Sequence, residues 1–134
     1  MRSNKTHIIL TIPSQADIYS NGRSEQIIKT AIDKYQIPRN RLVILSKCYF
    51  GVSDDPSIQT PIAAASNNDG ELVNRVGLSR KHIFDAVEAS VKRLGTYIDV
   101  LQIHRLDRGA PPEEIMKVSH SLQTRGLLPE QNHA

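Results

Sequence analysis

The sequence contains one cysteine, Cys48, so no internal disulfide can form. Tryptophan is absent and aromatic residues make up only 4% of the chain, which leaves few platforms on which bases could stack. No apolar run comes near the ~20 residues needed to span a bilayer. Ile8–Ile12 follows basic residues, but it is shorter than the apolar region of a secretory signal and lacks a small-residue cleavage site after it. It reads as a strand, and a cytoplasmic location is the expectation. No Gly-x-Gly-x-x-Gly follows a strand-like run, and there is no phosphate-loop Gly-Lys-Ser/Thr. A dinucleotide site of the doubly wound kind is therefore not expected. His82 and His104 have no Asp or Glu at ligand-like spacing, so no metal site is expected either.

What remains is an ordinary globular composition. The 134 residues are 39% hydrophobic and 23% charged, enough for one domain with a core. The formal charge of +3 is mild. Arg80-Lys81-His82 and Lys92-Arg93 fall at the two ends of one expected helix and read as a solvated face. They carry no interleaved aromatics, so no nucleic-acid partner is expected. A small protein binding acidic ligands is the reading that charge alone would suggest.

Strand-type and helix-type segments alternate. His7–Ile12 is a short strand. Ile27, Ile28, Ala31, Ile32 and Tyr35 give helical spacing over Ser24–Tyr35, with Ser24 as N-cap and Pro38 as a stop. Leu42–Leu45 is a continuous apolar run, as for a strand buried on both faces. The stretch from Gly51 to Gly77 is rich in Ser, Asp, Asn and Pro and reads as a long loop, a type that is often functional. Ser79 caps a helix over Arg80–Leu94, whose apolar stripe is Ile83, Ala86, Val87, Val91 and Leu94, and Gly95 ends it. Ile98–Ile103 is a strand. Pro111-Pro112-Glu113-Glu114 opens a last helix with its acidic residues near the N-terminus. Strands separated by helices imply parallel pairing, hence an α/β fold.

Ligands in such folds bind beyond the carboxyl ends of the strands. Two apolar runs here end in one ionisable group each: Lys47 closes Arg41–Lys47, and His104 closes Tyr97–His104. Tyr19 lies shortly after the first run. Singly, each has a bland reading: a half-buried loop aromatic, a surface lysine, a hydrogen-bonded structural histidine. Together they form a candidate proton-transfer set. Cys48, next to Lys47, faces the opposite side of its strand and reads as a buried structural thiol.

The wording around these residues is more specific. Ala16-Asp-Ile-Tyr-Ser-Asn-Gly-Arg-Ser-Glu25, Leu42-Val-Ile-Leu-Ser-Lys-Cys48, Gly77-Leu-Ser-Arg-Lys-His-Ile83 and Leu94-Gly-Thr-Tyr-Ile-Asp-Val-Leu-Gln-Ile-His104 resemble the aldo-keto reductase family, in its fungal aryl-alcohol dehydrogenase branch. The resemblance runs from about Gln15 to about Lys117. It implies a (β/α)8 TIM barrel, NADP(H) as cofactor, and reduction of an aldehyde or ketone. It implies that Tyr19 is the proton donor, Lys47 the cation that eases proton release from a phenol of ordinary pKa about 10, and His104 the residue that binds and polarises the substrate carbonyl. The family's Asp partner for the lysine falls at Ser14, which supplies no negative charge. Asp17 matches another family position.

The resemblance also sets expectations about what is missing. Residues 1–14 and those after Lys117 have other wording, and an acidic residue usual between Thr96 and Tyr97 is absent. A full barrel needs roughly 250 residues or more. The expected architecture is a partial (β/α)8 barrel of about three βα units, filling residues 1–134 as one domain. Most of the family's cofactor contacts come from later strands, so no cofactor-binding residue can be named. A truncated reductase, impaired or inactive, is one expectation, in fungal secondary metabolism or aryl-alcohol turnover. A non-catalytic fragment that associates with a full-length relative is the other. Three parallel strands without closure would expose edges open to self-association.

Overall fold

The computed structural model describes residues 10–12, 16–55, 57–58 and 60–129. Residues 7–9 of the first expected strand, and Ser14, lie outside the described residues. Six main elements follow in order: β1 (Leu10–Ile12), α1 (Arg23–Tyr35), β2 (Leu42–Cys48), α2 (Arg80–Leu94), β3 (Val100–Ile103) and α3 (Pro112–Thr124). The strands form one sheet in the order β1-β2-β3, with both pairings parallel. This is the three-unit portion of a (β/α)8 barrel that the sequence implies.

The helix boundaries follow their caps. In α2 the Ser79 side chain accepts from His82 N, and Gly95 ends the helix in the left-handed region at φ +69°. In α3, Pro112 sits at the first turn with Glu113 and Glu114 beside it. At α1 the expected Ser24 cap is replaced. The N-cap is Gly22 at φ +82°, following Ser20 and Asn21, which are also left-handed. This reversal of the chain starts the helix earlier than Ser24, and Ser24 Oγ instead donates to Tyr19 O at 3.2 Å. The stripe on α1 is also narrower than its spacing suggests. Ile28 is buried and Ile32 packs on the core, but Ile27 and Tyr35 are exposed.

β2 is longer than the apolar run predicts, because the ladder to β3 continues through Ser46, Lys47 and Cys48. Its burial alternates rather than being complete. Leu42, Ile44, Ser46 and Cys48 are buried, while Val43, Leu45 and Lys47 are only half covered. The first set packs under the helices; among the described residues no layer covers the other face. β3 starts at Val100 rather than Ile98, although Ile98 is fully buried in the core. Ile98 N donates to Leu127 O at 3.4 Å, outside the sheet, and Arg39 takes the Tyr97 carbonyl, while Asp99 N already pairs with Ile44 O at 2.9 Å.

Arg39 fastens the N-terminal ends of β2 and β3. Its guanidinium donates to Thr96 Oγ1, Leu42 O and Tyr97 O, each at 2.8 Å, and to Asp99 Oδ2 at 2.6 Å. It lies 3.7 Å from the centroid of the Tyr97 ring. Asp99 Oδ2 in turn accepts from Ile44 N at 2.7 Å. The connection from α2 to β3 is short, yet β3 keeps register with β2, with Lys47 opposite Gln102.

A second polar group lies between α1, α2 and β2. Glu25 is fully buried and accepts from Ser46 Oγ and from Arg93 Nε, both at 2.7 Å. Arg93 covers Gly22, where a Cβ would fall 2.6 Å from Nε, so only glycine fits both the turn and the contact. Asp17 lies in the same group. Burial, and then the charge of Glu25, push its carboxyl up to about 8, against the pull of Arg93. Burial pulls His82 down to about 4.

The described residues of the segment from Gly51 to Gly77 form an ordered loop. It contains turns at Ala64–Ser66 and Gly70–Leu72, and Leu72 is buried over Gly51. Arg75 grips Asp54 with two bonds of 2.8 Å.

Two outcomes follow from these groups. Arg39→Ala leaves Asp99 and two carbonyls without their donor, and should lower unfolding free energy by about 3 kcal/mol in a urea titration; Arg39→Lys should recover less than half of that, because one ammonium cannot span the fork. The pH dependence of stability should have a definite sign. The folded pKa of Asp17 exceeds its unfolded value, so its contribution falls as pH rises between about 4 and 8. The folded pKa of His82 is below its unfolded value, so its contribution rises with pH between about 4 and 6.5, opposing Asp17 there. Between pH 6.5 and 8 only the Asp17 slope remains of the two. Melts across that range should lose stability with rising pH, and Asp17→Asn should flatten the slope; an unchanged slope would show that Asp17 is not its source.

Candidate active site

The three residues singled out in the sequence come together at the C-terminal end of the sheet. Lys47 is the penultimate residue of β2, and His104 directly follows β3. His104 N donates to Cys48 O at 3.1 Å, which extends the parallel pairing one step past the ladder. Asp17 N donates to Lys47 O at 3.3 Å and brings the chain after β1 alongside the end of β2. Tyr19 then opens the turn Tyr19–Gly22. The Tyr19 and His104 rings meet edge to face, with centroids 6.1 Å apart at 85°. Lys47 Nζ is 5.8 Å from the Tyr19 centroid.

Two further residues shape the group and carried no motif. Phe50 is buried, and its ring stands edge-on to His104 at 4.9 Å. Arg105 places its guanidinium 5.1 Å from the Phe50 centroid. Burial, then the charges of Lys47 and Arg105, hold the His104 imidazole below the usual histidine range. It is therefore neutral at neutral pH and can donate one N–H without adding to the positive charge of Lys47. Its Nδ1 is buried without a hydrogen-bond partner.

Asn21 is the other residue that the motifs did not single out. It sits at φ +53°, a conformation asparagine tolerates better than most residues. Its Nδ2 donates to Ser53 O at 3.1 Å and Asp55 O at 2.8 Å, and its Oδ1 accepts from Ser53 N at 2.8 Å. The Tyr19 turn is thereby clamped to the loop after β2. The rule that asparagine favours left-handed turns could have flagged it.

Asp17 does not stand in for the aspartate missing at Ser14. The charges that act on its carboxyl are Glu25 and Arg93, on the helix side of the sheet. Ser14 itself lies outside the described residues. Cys48 is buried on that helix side, and burial raises its thiol well above the ordinary range, so it is the inert thiol its position in the strand implies.

The described residues do not fit a dinucleotide. The glycines at the turns nearest the site are filled by the chain's own side chains: Gly22 by Arg93, Gly51 by Leu72 and Gly77 by Asp107. None leaves an open backbone cradle for a pyrophosphate. Among the described residues no group of three or more His, Cys, Asp or Glu could hold a metal ion, and no helix is long and apolar enough to cross a membrane.

Comparison with known proteins agrees with this geometry. The sequence profile of the Aldo/keto reductase family matches residues 14–130, extending beyond Lys117. The chain is 58% identical over 111 residues to versiconal hemiacetal acetate reductase of Aspergillus parasiticus, covering 83% of this chain and 32% of that protein. It is 49% identical over 119 residues to an aldo-keto reductase of Metarhizium robertsii, covering 84% and 32%. A Schizosaccharomyces pombe protein bearing an aryl-alcohol dehydrogenase name is 50% identical over 120 residues, covering 84% and 33%. The chain thus spans about a third of the length of the curated relatives it matches. Among solved structures, an aldo-keto reductase of Bacillus halodurans superposes with a TM-score of 0.62 at 23% identity, over 85% of this chain and 33% of that one. A thermostable aldo-keto reductase gives 0.61 at 24% identity, over 85% and 32%. These two likenesses bear on the fold, which is that of a TIM barrel. With family profile, fungal relatives and barrel neighbours in agreement, the chain belongs to the aldo/keto reductase family.

Proposed function

We propose that Tyr19, Lys47 and His104 are the proton-transfer apparatus of an NADP(H)-dependent carbonyl reductase, acting on an aldehyde or ketone or on the corresponding aryl alcohol. The observation that carries this reading is that the His104 ring and Lys47 Nζ each lie about 6 Å from the Tyr19 ring, at one end of the sheet. In the reduction direction, His104 donates a hydrogen bond to the carbonyl oxygen and draws charge toward it. Tyr19 transfers its phenolic proton to that oxygen. The positive charge of Lys47 favours the phenolate left behind. The hydride would have to come from NADP(H), to which no described residue is assigned.

The neutral state of His104 fits its part. An imidazolium beside Lys47 and Arg105 would be repelled, whereas a neutral ring donates without a charge penalty. The polar end of this chemistry has that support, while the described glycine turns offer no cradle for the phosphates. By itself the 134-residue chain should therefore be impaired or inactive, because positioning the hydride donor accounts for many orders of magnitude in rate. We place the reaction in secondary metabolism or aryl-alcohol turnover, the latter supported by the aryl-alcohol dehydrogenase name of a fungal relative, and take the cytoplasm as the place of action. A second reading, a non-catalytic partner of a full-length relative, is favoured by the exposure of Val100 and Ile103 on β3. It predicts co-purification with that relative.

The test has two parts. NADPH should leave the melting midpoint of the 134-residue chain unchanged, whereas ligand at 100 times its Kd would add about 2.7 kcal/mol of stability. Residues 14–130 should then replace the matching third of a full-length relative, and turnover of an aromatic aldehyde should be followed by NADPH oxidation. In that chimera Tyr19→Phe should lower kcat by about 10²–10⁴ with little change in cofactor affinity. A Tyr19→Phe chimera as fast as its parent would remove the residue from the mechanism.

A further inference from the structure

The backbone of His104 is fixed by its bond to Cys48 O, and two aromatic rings fix its side chain. Both stand nearly perpendicular to the imidazole. Phe50 is the nearer, with centroids 4.9 Å apart at 86°; Tyr19 lies at 6.1 Å and 85°. Phe50 is only 1% exposed and packs with Ala16, Ile18 and Ala65 in a small apolar cluster of its own. The backbone just after it is tied down where Gly51 N donates to Ala65 O at 2.9 Å. A ring so enclosed is not a wall that substrate meets. Its open question is what it does for the imidazole beside it.

The two ring nitrogens of His104 are not equivalent. Nδ1 is buried and has no hydrogen-bond partner. A neutral imidazole carries one N–H and one lone pair. With the proton on Nδ1, a buried donor would meet no oxygen or nitrogen acceptor. The lone pair of Nε2 would then face the substrate oxygen, which is itself an acceptor. With the proton on Nε2, the N–H is the one that an incoming carbonyl oxygen can use. An imidazole free to turn about its Cβ–Cγ bond would not keep that distinction, because water would reach either nitrogen.

We propose that Phe50 is a positioning residue: its ring closes Nδ1 of His104 off from water and holds the imidazole as the Nε2–H tautomer, with that N–H turned to the substrate. Phe50 acts through His104 and touches neither substrate nor cofactor. What the N–H does rests on the carbonyl-reductase reading; how the ring is held does not. The measurement is a two-bond proton–nitrogen NMR correlation of the histidine rings in the isotope-labelled full chain. His104 should show the Nε2–H pattern. Phe50→Leu keeps the site apolar and removes the ring. Water then reaches Nδ1, and the Nδ1–H form should rise about fivefold as the tautomers mix.

The same variant should move the His104 titration midpoint up toward the ordinary histidine range, since burial is the largest cause of its depression. Lys47, Arg105 and Tyr19, the titratable groups that face this ring, are left in place. In the chimera Phe50→Leu should lower kcat about tenfold without changing NADPH affinity. A Phe50 that merely fills space would lower the melting midpoint and leave tautomer and titration as they were; that result overturns the proposal. If Phe50→Leu does not fold, Phe50→Met takes its place. If neither folds, the wild-type spectrum decides: an Nδ1–H ring overturns the proposal and an Nε2–H ring supports it. The two readings fail separately. A silent Tyr19→Phe chimera with a shifted tautomer in Phe50→Leu would sink the reductase reading and support this one. An impaired Tyr19→Phe chimera with an unmoved tautomer would sink this one alone.

Discussion

The last two carbonyls of β2 hold the candidate site together. Lys47 O receives Asp17 N, and Cys48 O receives His104 N. The second extends the β2–β3 pairing one step past the ladder, and the first ties the chain before Tyr19 to the end of β2. Side chains alternate along a strand. Lys47 therefore faces the side where Tyr19 and His104 meet, while Ser46 and Cys48 face the helices. A shift of one residue in either register would turn Lys47 toward the Glu25–Arg93 pair and bury it against the helix layer. The site depends on register first and on local motif second.

The same alternation separates two electrostatic neighbourhoods that lie close along the chain. On one side Lys47 and Arg105 surround a neutral imidazole and a phenol. On the other, Glu25, Arg93 and Asp17 form a buried acidic and basic group whose charges act on each other. Asp17 is only two residues from Tyr19, yet its carboxyl belongs to the second neighbourhood. Proximity in sequence says little here, because the sheet lies between. The buried Glu25–Arg93 pair is best read as a device for specifying how α1 and α2 meet β2. Such a pair adds little net stability over an apolar contact but makes a misplaced partner costly.

How much of this could be read from the sequence depends on the length scale of each feature. The parallel α/β order, the caps Ser79 and Gly95 and the start of α3 at Pro112 are local, and local chemistry specifies them. The ends of β2 and β3 are not local. Ser46, Lys47 and Cys48 look like the close of a strand, and only pairing with β3 keeps them in it. Ile98 looks like strand and is core, but its N–H goes to Leu127 O and the Tyr97 carbonyl before it to Arg39, both far away in sequence. The cap at α1 was missed because the left-handed turn at Ser20 and Asn21 depends on the side-chain clamp from Asn21 to the loop at 53–55. The strand ends carrying Tyr19, Lys47 and His104 were legible; Phe50 and Arg105 were not, because their relation to His104 exists only in three dimensions.

The glycines bear on what the assembled group can do. A dinucleotide needs backbone left bare at strand ends, and here Arg93, Leu72 and Asp107 already occupy the space beside Gly22, Gly51 and Gly77. Those contacts are not idle: Arg93 packs on the turn that carries Tyr19, Leu72 on the chain after β2, and Asp107 on the turn before α2. Freeing any one for a phosphate would loosen a support of Tyr19 or of the loop after β2. The polar half of a carbonyl reduction, which needs one donor, one cation and one proton, is compatible with so tightly packed a frame. The hydride half needs a long open groove. Within the described residues these two demands compete for the same strand ends, and the space beside Gly22, Gly51 and Gly77 is already given to packing.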